Sequence, residues 1–236
     1  MAGHSKWANI RFRKGAQDAK RGKIFTKLIR EITVAAKEGG DDIPNNPRLK
    51  DAITKAFKSN MKKDTVENAI KKGVGKLEGS NYFDITYEGY GPFGVAFYVS
   101  CLTDNKNRTV AEVRHCFTKN NGNLGADGSV NYLFDKAGQI VLENVTEDDI
   151  FDISMSNGAY EIETDEDNVI VYCKPEKFAA LEEALKEFSI VNSEVSYFPN
   201  QTNKIDEEKQ SQIIRLVDML EDLDDIQNVY HNAILN

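Results

Sequence analysis

Residues 85–102, ITYEGYGPFGVAFYVSCL, decide the fold class. Upstream of them the apolar residues recur at helical spacing. Here they alternate or run together, with β-branched and aromatic types on both sides of a Gly/Pro segment. Ile85 and Tyr87 lead into Gly89–Gly94, and Val95–Leu102 is a strongly β-forming run, so the stretch predicts a strand, a tight turn and a second strand. The glycines superficially resemble a phosphate loop. They join two strands, however, and lack the Gly-Lys-Ser/Thr ending that leads into a helix, so a hairpin is the better reading.

Before this stretch the chain reads as three helices. From Ala16 to Lys37 the apolar stripe is Ile24, Phe25, Leu28, Ile29, Ile32, Ala35 and Ala36, closed by Gly39–Gly40. Asn46–Pro47 opens the next helix, with Asn as cap and Pro in the first turn, and it buries Leu49, Ile53, Ala56 and Phe57. A third starts at Asp64, with Glu67 completing a capping box, and stops at Gly73. Residues 77–81 read as a linker.

After the hairpin, a helix is expected from Thr109, with Glu112 as reciprocal cap and Val110, Val113 and Phe117 on one face. Val130–Leu133 begins a strand. Then follow Gln139–Leu142 (strand), Glu147–Met155 (helix), Tyr160–Glu163 and Val169–Cys173 (strands), Pro175–Phe188 (helix) and Ser193–Phe198 (strand). That βαββαβ order is the split β-α-β, ferredoxin-like pattern. A last helix over 206–221 and a strand over Asp225–His231 would complete the same pattern begun by residues 82–134. The expected class is α+β with three domains: a helical bundle at 1–79, a discontinuous domain at 80–135 plus 200–236, and an inserted ferredoxin-like domain at 136–199.

Charge divides the chain at the same place. Residues 1–76 hold 19 Lys and Arg against 8 Asp and Glu, a net +11, and the remaining residues hold 11 against 30, a net −19. The overall −8 hides a basic head, and such asymmetry points to nucleic acid. The candidate contacts are Lys6, Trp7, Arg11, Phe12, Arg13 and Lys14 in an arm with interleaved aromatics, then Lys20, Arg21, Lys23, Lys27, Arg30, Lys62, Lys63, Lys71 and Lys72. Phosphates attract the cations without reading sequence, and Trp7 and Phe12 offer stacking faces. An anionic membrane fits less well, because the apolar stripes are needed to close the bundle. Asn105, Lys106 and Arg108, just before the helix at Thr109, form a candidate anion site; the same residues also read as a capped loop.

Nothing has the spacing of a catalytic constellation, and no cofactor is expected. His4, His115 and His231 with Cys101, Cys116 and Cys173 show no metal-ligand spacing, so no metal site is expected. The odd, scattered cysteines suit free thiols in a reducing compartment. No stretch is long and apolar enough to span a bilayer, and the first residues lack the apolar core of a secretory signal. These readings place the protein in the cytoplasm.

Several long motifs are similar to one family. They are MAGHSKWANI at 1–10, KRGKIFTKLIREI at 20–32, YEGYGP at 87–92, LTDNKNRT at 102–109 and GNLGADGSV at 122–130. Together the motifs resemble the YebC/PmpR family over essentially the whole chain. The resemblance implies three domains, one helical and two α+β, and a non-enzymatic DNA-binding regulator of transcription. It also implies alternatives. A related mitochondrial protein activates translation of a cytochrome oxidase subunit, and some members are linked to stalled ribosomes, which would make rRNA or tRNA the partner. Residues 11–14 read Arg-Phe-Arg-Lys where members usually have Lys-His-Arg-Lys; the basic character is intact. On physical grounds RNA is slightly favoured, since no helix-turn-helix reader with base-reading side chains is recognisable. A protein-interaction scaffold, in which the acidic domains bind a protein partner, is the rival from another class.

Overall fold

In the computed structural model, which describes residues 21–79, 81–165 and 167–235, the described part of the head forms three α-helices. These are α1 (Arg21–Gly39), α2 (Pro47–Lys58) and α3 (Lys63–Gly73). Their stripes meet in one core of Ile32, Ala35 and Ala36 from α1, Leu49, Ala52, Ile53 and Ala56 from α2, and Val66 and Ala69 from α3. Burying Ile32 or Leu49 completely contributes roughly 1.5–3 kcal/mol each.

Asn46 joins α1 to α2. Its Oδ1 accepts from the Leu49 amide at 3.0 Å, capping α2, and its Nδ2 donates to the carbonyls of Ala35 and Gly40 at 2.8 and 2.9 Å, closing the end of α1. Gly40 makes that reversal at φ +79°, where a glycine carries no steric penalty. Gly73 lets α3 approach α1: a Cβ there would lie 2.4 Å from the Thr33 carbonyl oxygen.

Next come β1 (Phe83–Tyr90) and β2 (Ala96–Thr103), an antiparallel pair in register from Phe83↔Thr103 to Tyr90↔Ala96, so residues 91–95 form the tight turn expected. Then follow α4 (Lys106–Lys119) and the short β3 (Asn123–Leu124). The next elements are β4 (Phe134–Glu143), α5 (Glu147–Ser156), β5 (Ala159–Asp165), β6 (Asn168–Cys173), α6 (Phe178–Ala184) and β7 (Ser189–Pro199). The chain ends through β8 (Asn203–Lys204), α7 (Glu207–Glu221), β9 (Ile226–His231) and β10 (Ala233–Ile234). The class is α+β.

Two compact units result. One contains the described residues up to Val130 together with Glu208–Val229; the other contains Asn131–Glu207 and the segment from Tyr230. The first holds the head and the sheet ordered β3-β1-β2-β9. The second holds the sheet ordered β5-β6-β4-β7, antiparallel throughout, which is the split β-α-β order. Alternation is clean there. Ile140, Leu142, Val169 and Val171 pack with Ile150, Leu181 and Leu185 from α5, α6 and the residue after α6, while Val141, Ile170 and Tyr172 pack on the other face with Phe198. Among the described residues no helix is long and apolar enough to cross a membrane.

Several local expectations are corrected. The capping box at Asp64 and Glu67 does not form: α3 begins at Lys63 with Lys62 as cap, which puts the pair out of register. Phe57 is not buried but 46% exposed, because Leu49, Ala52, Ile53 and Ala56 already fill the stripe. α4 starts before Thr109, because Asn105 accepts from the Arg108 amide at 3.0 Å and caps it there. Residues 131–133 are a helical turn, and the strand expected at Gln139–Leu142 is the inner part of β4. The helix expected over Pro175–Phe188 is a single turn followed by the short α6. The β3-β1-β2-β9 sheet opens with two consecutive strands, so its element order does not repeat that of the other sheet.

Candidate nucleic-acid interface

The cations of the head have different fates, set by what lies within reach. Lys6, Trp7, Arg11, Phe12, Arg13, Lys14 and Lys20 lie outside the described residues, as does the side chain of Arg21. Lys23, Lys27 and Arg30 follow one another at helical spacing along α1, and all three grip the end of α7. Lys23 Nζ donates to the carboxylate of Asp222 at 3.0 Å and to its carbonyl at 2.8 Å. Lys27 Nζ reaches the Glu221 carbonyl at 3.3 Å. Arg30 donates to the Asp225 carboxylate and the Asp224 carbonyl, both at 2.6 Å, and to the Leu102 carbonyl at 3.1 Å. A helix C-terminus offers unpaired carbonyls and the negative end of its dipole, so three cations there are well placed.

Asp225, whose side chain is 2% exposed, is the centre of this contact. Arg108 binds it through two nitrogens, the shortest contact being 2.7 Å, and the hydroxyls of Thr103 and Thr109 donate at 3.1 and 2.8 Å. Burial works to raise its pKa, but the hydrogen bonds from Arg108, Thr109, Arg30 and Thr103 outweigh it and hold the carboxyl below the ordinary value.

The candidate anion site at Asn105, Lys106 and Arg108 is therefore engaged inside the fold. Asn105 caps α4, the Lys106 ammonium lies 4.5 Å from the centre of the Phe83 ring, and Arg108 is divided between Asp225 and Asp104. Arg108 and the neighbouring threonines converge on a buried carboxylate, Asp225, which sequence reasoning missed. No local signal marks it, since its partners lie as far away as Arg30.

Four of the predicted cations stand apart. Lys62, Lys63, Lys71 and Lys72, at or near the two ends of α3, are exposed. Lys63 lies 3.7 Å from Glu67, while Lys62, Lys71 and Lys72 make no side-chain hydrogen bond or ion pair among the described residues. Lys50 and Lys58 on α2 are exposed and unpaired in the same sense, although neither is among the contacts expected from the sequence. Elsewhere in the head Arg48 pairs with Glu31, Glu38 and Asp84, and Lys76 pairs with Asp41. The unengaged charge is thus concentrated on α2 and α3. The outer side of α3 also carries Asp64 and Glu67, both exposed.

Other chemistry is muted. Burial pushes the Cys101, Cys116 and Cys173 thiols up, Cys173 to about 11, which keeps them protonated and poorly nucleophilic. No group of three or more His, Cys, Asp or Glu is placed to hold a metal ion among the described residues.

Family models match both parts of this arrangement. Residues 5–76 match the N-terminal domain of the TACO1/YebC protein, and residues 82–233 match the TACO1/YebC second and third domain. The chain belongs to the YebC family. A YebC relative from Idiomarina loihiensis, named "Probable transcriptional regulatory protein", is 55% identical over 99% of this chain and 95% of its own length. One from Aeromonas salmonicida with the same name is 53% identical over 100% of this chain and 97% of its own. A crystal structure of a conserved hypothetical protein from Aquifex aeolicus superposes with a TM-score of 0.80 at 44% identity, covering 93% of this chain and 92% of that one. The YebC relatives carry the name of regulators and not of enzymes.

Proposed function

We propose that this protein is a non-enzymatic nucleic-acid-binding regulator whose contact surface is the head. The observation that carries the reading is the set of exposed, unpaired lysines on and between α2 and α3: Lys50, Lys58, Lys62, Lys71 and Lys72. Unpaired cations on a rigid bundle attract phosphates and release counterions on binding. In sequence, Lys6, Arg11, Arg13 and Lys14 add further cations to the head. The names of the relatives support transcriptional regulation, and DNA is the partner in the first form of the reading. In it the head (1–79) makes contact, while the discontinuous domain (80–135 plus 200–236) and the inserted one (136–199) act as spacer or partner platform. Their acidity keeps them off phosphates, and the reading places the protein in the cytoplasm.

A second form, binding rRNA or tRNA on the ribosome to relieve stalled peptide synthesis, is favoured by one observation. Asp64 and Glu67 stand beside Lys63 and Lys71 on α3, and a helix that reads a DNA groove meets phosphates on both flanks. Shape- and stacking-based recognition of RNA tolerates such a mixed face better. Crosslinking in growing cells, with sequencing of the bound nucleic acid and sucrose-gradient sedimentation, separates the forms. Defined promoters are expected under the first, and co-sedimentation with ribosomes and rRNA crosslinks under the second. Loss of both signals would sink the nucleic-acid reading and favour the scaffold.

A further inference from the structure

Phe57 is the exposed large aromatic of the described head, and it sits among the unengaged lysines. The core stripe of α2 is complete without it, so the ring does not serve bundle closure. Lys50 lies seven residues, close to two turns, before it, hence on the same side of the helix. Lys58 follows it directly, and Lys62 stands just past the turn that ends α2. These three lysines are exposed and have no side-chain partner among the described residues. Asp51 in the same helix pairs with Lys55 at 2.8 Å. A lone apolar side chain on a surface is ordinary. A ring with free cations before and after it along one helix is a different arrangement.

Resting on the reading of the head as a nucleic-acid surface, we propose that Phe57 is a stacking platform for an unpaired nucleobase. Lys50, Lys58 and Lys62 hold phosphates of the same strand, so the head takes single-stranded or looped segments in preference to duplex. A duplex displays phosphates but hides the faces of its bases, so it uses the lysines and leaves the ring idle. A single strand uses both.

The test is anisotropy titration of the full chain with one labelled sequence as single-stranded DNA, single-stranded RNA and duplex, at several salt concentrations. Phe57→Ala weakens single-strand binding by about five-fold or more with the salt slope unchanged, because a stack is lost and no charge is removed. Phe57→Tyr retains binding. Phe57→Leu, which keeps apolar bulk without a π face, falls with the alanine variant, and duplex binding moves in none of them. Lys58→Ala lowers the salt slope by about 0.7 on single strands. Equal single-strand affinity for Phe57→Ala and the parent, or full affinity for Phe57→Leu, overturns the stacking proposal alone. A parent chain that binds none of the three probes overturns the nucleic-acid reading and this proposal together.

Discussion

Two sets of cations in the head look alike in sequence and differ in the structure. Lys23, Lys27 and Arg30 on α1 face the carbonyls and carboxylates at the end of α7, while Lys50, Lys58, Lys62, Lys71 and Lys72 on and between α2 and α3 face water. The difference lies in what each set meets. One meets an anionic helix end that belongs to the same compact unit, and its charge becomes part of the fold. The other meets no carboxylate, and its charge remains available. A count of Lys and Arg measures neither. A cation's meaning is fixed by the anion within about 4 Å of it.

The sharpest way to break this comparison is to remove the anion. Asp225→Ala leaves Arg30, whose side chain is 13% exposed, without its carboxylate and strips two buried threonine hydroxyls of an acceptor. The unit should lose about 3 kcal/mol in urea unfolding, since removing one partner of a buried pair strands the other. Nucleic-acid affinity under folding conditions should change little. Acid separates the same contribution. The pKa of Asp225 is lowered in the fold, so its stabilisation is complete above the ordinary carboxylate value of 3.8 and is lost as pH falls through the lower folded value. The parent should therefore lose more stability than Asp225→Ala on acidification below about pH 4. Parallel acid profiles would remove Asp225 from the centre of the contact.

Asn46 ties the engaged helix to the free one, and Asn46→Ala should cost about 2 kcal/mol. It removes the cap of α2 and two donors to the end of α1 at once. A thermal shift as small as that of an ordinary surface substitution would contradict the double role.

Much of this was legible locally. Asn46-Pro47 announces a capped helix because both residues act through their own backbone neighbours, and the hairpin at 85–102 shows because glycine and β-branched residues carry local preferences. What was hidden depends on distant partners. A glutamate is ordinarily exposed, yet Glu88 is buried and accepts from the amides of Gly128 and Val130 at 2.9 and 2.7 Å. Asp225 draws on residues more than a hundred positions away, and no spacing rule reaches that far. The misread capping boxes have a nearer cause: Asp64/Glu67 and Thr109/Glu112 both have the right spacing but stand inside helices that had already begun.

The free set is tested by charge removal. Replacing Lys58, Lys62, Lys71 and Lys72 together with Ala should weaken single-strand binding at least ten-fold near 0.1 M salt and flatten the salt slope by about 3. Stability should stay within about 0.5 kcal/mol, because none of these side chains has a partner to lose. A normal slope with four lysines missing would move the contact surface elsewhere.

The smallest expected effect discriminates most finely. The sequence makes Lys23 a candidate phosphate contact, and its ion pair with Asp222 is largely exposed, with side chains 39% and 51% accessible. Such a pair contributes about 0–1 kcal/mol, so Lys23→Ala should hardly move the unfolding midpoint. If the ammonium is a structural cation, the salt slope of nucleic-acid binding also stays where it was. If it is released to a phosphate when nucleic acid arrives, the slope falls by about 0.7–0.9, and Asp222→Ala should tighten binding by freeing it. An exposed pair is weak enough for a phosphate to displace, whereas the Arg30–Asp225 pair is not. The boundary between fold and interface would then run along α1, between Lys23 and Arg30.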